Sequence, residues 1–86
     1  MAEFVFTRRF LQELAEFEKS ASGRDLKNLE ETLAAIAQNP RLPRRVPSFY
    51  DPYFPSYLYR SGNLLVHYRV SQHGGVEFLN LFWSQV

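Results

Sequence analysis

Residues 57–83, YLYRSGNLLVHYRVSQHGGVEFLNLFW, decide the fold of this 86-residue chain. They read as three short strands folding back on one another. Ser61-Gly62-Asn63 and Gln72-His73-Gly74-Gly75 supply residues that tolerate positive φ, so the runs around them should pair as a β-meander. Alternation assigns the faces of the middle strand: Leu64, Val66, Tyr68 and Val70 form the apolar set, and Leu65, His67 and Arg69 point the other way. In the strand before it, Tyr57 and Tyr59 alternate with Ser56, Leu58 and Arg60, and antiparallel pairing would bring Arg60 to the face of His67 and Arg69. Val76 to Trp83 is apolar on both faces except for Glu77 and Asn80, the pattern of a central strand.

Upstream the period changes. Phe4-Val-Phe6 reads as a short strand. Phe10, Leu14 and Phe17, with Leu11 alongside, recur at helical spacing and predict an amphipathic helix from Arg8 to about Lys19. Ser20-Ala-Ser-Gly23 ends it. Ser22 with Asp25 three residues on is a capping-box pattern, and Leu26, Leu29, Leu33 and Ile36 form the stripe of a second helix. Pro40 disfavours helix at Asn39, which suits a left-handed cap, so this helix should stop near Gln38. So short a loop requires the two helices to pack antiparallel, and they should cover the apolar face of the meander. All five prolines fall between Pro40 and Pro55, a segment that can hold at most a broken edge strand, around Val46 to Tyr50. Its aromatics Phe49, Tyr50, Tyr53 and Phe54 read as anchors of a rigid loop.

Composition bounds the rest. Eighty-six residues suffice for one domain, residues 1–86, around one core. Without cysteine, disulfides and thiolate metal sites are excluded, which fits a reducing cytosol. No run approaches a membrane span and no leader pattern opens the chain, so a cytoplasmic protein without membrane contact is expected. Residues 1–39 carry five basic and seven acidic side chains, whereas residues 40–86 carry five arginines against two acids. Those arginines lie among aromatics. Arg41, Arg44 and Arg45 are therefore the candidate nucleic-acid-binding residues, since guanidinium forks match phosphates. A small positive excess is also common on solvated loops.

A strand, a helical hairpin ending in Leu33-Ala-Ala-Ile-Ala-Gln-Asn-Pro40, a variable loop, then residues 59–70 and Val76-Glu-Phe-Leu-Asn-Leu81, together resemble the RelE/ParE superfamily of bacterial toxins from type II toxin–antitoxin systems. The resemblance covers nearly the whole chain. It implies an α+β fold of order β-α-α-β-β-β(-β), with an antiparallel sheet, the first strand beside the last, and the helical hairpin on one face. It implies a cognate antitoxin, small and partly disordered, that wraps the domain. It also implies one of two targets: messenger RNA cut in the ribosomal decoding site, or DNA gyrase.

The nuclease branch carries basic residues at outward positions of the meander, and of Ser56, Leu58 and Arg60 here, Arg60 has the charge. Leu65 stands where that branch has an arginine, and where that branch carries a basic or aromatic tail this sequence has Trp83-Ser-Gln-Val86, so the resemblance implies an incomplete nuclease site. Cleavage by a ribose 2′-hydroxyl needs a base, an acid and positive charge on the phosphorane, with no metal or other cofactor. Arg60, His67 and Arg69 are the candidate catalytic set, His67 as base or acid and the arginines as phosphate ligands. Against this, His67 can be an exposed sheet residue without chemistry, and Arg69 can pair with Glu77 across the meander. His73 reads as an incidental turn residue. The His67–Arg69 face makes a ribosome-dependent messenger RNA endonuclease that inhibits translation the leading expectation, and the gyrase branch, which needs no catalytic residues, is the alternative. A member that only binds its antitoxin is the third reading.

Overall fold

A computed structural model describes residues 3–48, 55–71 and 74–83, without the side chains of Ser48 and Trp83. Its elements are β1 (Phe4–Phe6), α1 (Arg8–Ser20), α2 (Gly23–Gln38), β2 (Val46–Ser48), β3 (Ser56–Ser61), β4 (Leu64–Val70) and β5 (Val76–Trp83). The strands form one sheet in the order β1-β5-β4-β3-β2. This is the expected α+β architecture. The expected all-antiparallel sheet is corrected at one edge, where β1 runs parallel to β5 with Phe4, Val5 and Phe6 opposite Val76, Glu77 and Phe78. The cause is parity: the helical excursion sets β2 off opposite to β1, and three antiparallel steps later β5 runs with β1.

The meander's register makes the assigned faces hold. Tyr57 opposes Tyr68, Tyr59 opposes Val66 and Ser61 opposes Leu64. Leu64, Val66 and Tyr68 are buried in a core with Phe10, Phe17, Leu29, Ile36, Val76, Phe78 and Leu81, with Tyr57, Tyr59 and Val70 packed against it. Fully burying such side chains contributes about 1.5–3 kcal/mol each. At the β3–β4 turn Gly62 has φ +60° and Asn63 does not share the positive φ, the signature of a II′ hairpin whose twist matches the strands. β5 is interior, between β1 and β4, although β4 is the middle strand.

Helix α1 begins at Thr7, whose hydroxyl accepts from the Phe10 amide at 3.2 Å and donates to the Phe78 carbonyl at 2.9 Å. One residue therefore ends β1, caps α1 and grips β5. Phe10 and Phe17 are buried, but Leu11, placed alongside the apolar stripe, is 48% exposed: at i+1 from Phe10 it lies about 100° around the helix. The Phe6, Phe10 and Phe78 rings pack at 5.2–5.6 Å. The capping box at Ser22 and Asp25 is formed, and α2 stops at Gln38 as expected. Asn39 departs from the expected left-handed cap; its φ is −145°, because extended geometry is what a residue before proline prefers. β2 is the broken edge strand, three residues long with Pro47 in it. Tyr50 at its expected end, the anchors Phe49, Tyr53 and Phe54, and His73 lie outside the described residues.

Candidate functional site on the outer sheet face

The face of the sheet turned away from the core is built in rows. Ser56, Arg69 and Glu77 stand opposite one another on β3, β4 and β5, followed by Leu58, His67 and Asn80, then Arg60, Leu65 and Phe82. Arg60, His67 and Arg69 thus share one face, as the alternation predicts. What surrounds them differs from the expectation. His67 is only 4% exposed, which removes the alternative of an exposed sheet residue. Arg69 Nη2 donates to Glu77 Oε1 at 2.7 Å, and both side chains are mostly shielded. Arg60 is exposed, and its Nε donates to the Gly62 carbonyl at 3.4 Å.

A β-bulge shapes the centre of this face. His67 pairs with Asn80 and Tyr68 with Phe78, leaving Leu79 as the extra residue of β5. Without it, Phe78 and Leu81 would fall on opposite faces. With it both enter the core, and Glu77 and Asn80, also three apart, both turn outward. Asn80 Oδ1 lies 3.0 Å from His67 Nδ1, and Asn80 Nδ2 donates to Glu13 Oε1 at 3.1 Å. The same Glu13 oxygen accepts from the Leu81 amide at 3.3 Å. That amide lies beyond the last β1–β5 pair, where β1 has given way to α1. Glu13 therefore covers a stretch of strand edge and reaches the outer face.

Sequence reading missed Asn80 and Glu13. The signal was present for Asn80: polar residues three apart, Glu77 and Asn80, interleaved with apolar ones three apart, Phe78 and Leu81, cannot both satisfy a period of two and so mark a bulge. Nothing local singled out Glu13.

The loop arginines divide. Arg41 and Arg44 are exposed. Arg45 lies 5.0 Å over the Tyr57 ring, on the core side of the sheet, and its Nη1 donates to the Leu42 carbonyl at 3.0 Å. It is thus held within the loop, on the opposite side of the sheet from Arg60, His67 and Arg69. Nearby, the Tyr68 hydroxyl donates to the Pro40 carbonyl at 2.6 Å. Burial pushes its pKa up to about 12, with Arg45 acting in the opposite sense and Tyr57 and Tyr59 adding to the rise. Among the described residues no group of three or more His, Cys, Asp or Glu could hold a metal ion, and no helix is long and apolar enough to cross a membrane.

A helical hairpin over a sheet ordered β1-β5-β4-β3-β2, with the meander forming its middle, defines a toxin fold of the RelE/ParE superfamily. The family model of the ParE toxin of the type II toxin–antitoxin system, parDE, matches residues 4–83, and the chain belongs to that family. No relative among the curated proteins matches it. A toxin of a type II system has an antitoxin as its partner.

Proposed function

We propose that this toxin acts by binding a protein target, DNA gyrase, and does not cut RNA. The observation that carries the reading is the state of the outer face: the arginine best placed to hold a phosphate is neutralised by Glu77 at 2.7 Å, and His67 is buried. A phosphorane needs positive charge aimed at it from a preorganised site. A paired guanidinium beside a shielded imidazole is a poor source of both charge and proton transfer. The reading also agrees with the family match, and a gyrase target places the toxin in the cytoplasm.

One observation favours a second reading, the ribosome-dependent messenger RNA endonuclease. The Asn80 and Glu13 side chains hold His67 in the manner of an oriented base. In that reading Arg60 and Arg69 hold the scissile phosphate, the exposed Arg41 and Arg44 grip the RNA, and the ribosome supplies the remaining orientation.

Induced expression separates the two. DNA breaks with an SOS response and intact transcripts are expected; rapid arrest of translation with cleaved messenger RNA would overturn the gyrase reading. Arg60→Ala and Arg69→Ala, expressed at the parental level, should stay toxic. A roughly hundredfold to thousandfold loss of cleavage, the usual effect of deleting one charge-stabilising donor, would instead assign the face to catalysis. No growth defect from the parent chain would leave a protein that only binds its antitoxin.

A further inference from the structure

We propose that Glu13 and Asn80 are positioning residues that hold neutral His67 as its Nδ1–H tautomer, keeping Nε2 as the acceptor nitrogen of the ring. The order of donors and acceptors along Glu13, Asn80 and His67 fixes the tautomer. An ionised carboxylate can only accept, so the Asn80 atom 3.1 Å from Glu13 Oε1 is the amide nitrogen, donating. That turns the Asn80 oxygen toward His67 Nδ1 at 3.0 Å. An amide oxygen can only accept, so the proton of the ring sits on Nδ1. The reverse order would set the Asn80 oxygen against the carboxylate, two acceptors with no hydrogen between them.

Glu13 is itself held by a second donor, the Leu81 amide at 3.3 Å, so the carboxylate is fixed to the backbone of β5 independently of Asn80. The polarity of the whole chain is therefore set by a helix residue acting across a strand edge. In water an unconstrained histidine side chain favours the Nε2–H form, so the fold works against the intrinsic preference. The tautomer is a property of the folded toxin and is independent of which target it engages.

The test is a two-bond proton–nitrogen correlation spectrum of the full chain at pH 8, where an ordinary imidazole is neutral. The chain has two histidines, and His73→Gln identifies the signals of His67. The expected spectrum has a protonated, pyrrole-like Nδ1 and a pyridine-like Nε2. Glu13→Ala, which lets the Asn80 amide turn over, should return the Nε2–H form to the majority. Glu13→Gln still offers an acceptor oxygen and should restore Nδ1–H. Should Glu13→Ala not fold, Asn80→Ala removes the same constraint from the strand side and should give the same shift. An Nε2–H majority or an imidazolium in the parent protein would overturn the proposal, as would a folded Glu13→Ala or Asn80→Ala variant with the parental tautomer.

Discussion

Tyr68 is fully buried, and its hydroxyl is the link between the middle strand and the Pro40 carbonyl at the start of the loop. Tyr68→Phe should cost about 1–2 kcal/mol at pH 8, since one hydrogen bond goes and a shielded carbonyl is left without it. The alkaline limb carries the sign. A phenol at about 12 in the folded chain and 10 in the unfolded one adds stability that is complete below pH 10 and is lost between pH 10 and 12, roughly 3 kcal/mol for two units. Urea titrations across that range should therefore show the parent protein losing its advantage over Tyr68→Phe. Parallel curves would refute the shift. His67 makes a second case at this scale. At 4% exposure and bonded to Asn80, its replacement by alanine should lower stability by about 1–3 kcal/mol, so toxicity of that variant has to be read against its folded fraction.

At the scale of elements, the β3–β4 hairpin and the start of α2 depend on local chemistry. Gly62→Ala would place a Cβ 3.5 Å from Asn28 Nδ2, an ordinary contact, so its cost comes from the backbone at φ +60°, about 1–2 kcal/mol. A lower urea midpoint with an unchanged slope is the expected result. Ser22→Ala should cost about 1 kcal/mol by removing the capping box, read the same way. Both sites are legible in sequence, because turn and cap chemistry act over three or four residues. The bulge at Leu79 is less so: it shows only as a conflict between two spacings in Val76–Trp83, and resolving that conflict requires knowing that Phe78 and Leu81 share a core.

For the molecule as a whole, a domain this small is marginally stable, and an antitoxin that binds only the folded toxin adds stability by mass action. A groove of about 840 Å³ between the helices, lined by Leu14, Leu26, Leu29 and Leu33, is the apolar surface we expect a folding antitoxin segment to cover. Coexpression with the cognate antitoxin should yield a complex whose unfolding free energy rises by about 2.7 kcal/mol at a hundredfold excess over Kd. Leu33→Glu, at a half-buried lining position, should abolish that gain. A folded Leu33→Glu variant that keeps the full gain would remove this groove from the interface.

Sequence by itself determined the order of elements, the faces of β3 and β4, the two helices with their boundaries, and the family, because periodicity, caps and turns are properties of neighbouring residues. It also placed Arg60, His67 and Arg69 on one face, since alternation fixes the side of a strand on which a residue lies. Tertiary structure decided what that face is. The direction of β1 against β5 follows from the count of chain reversals, the pairing of Arg69 with Glu77 from strand register, and the burial of His67 from what surrounds it in space. Glu13 reaches Asn80 from 67 residues away along the chain. No local pattern encodes a contact of that separation, because it exists only after a helix has packed along the edge of a strand.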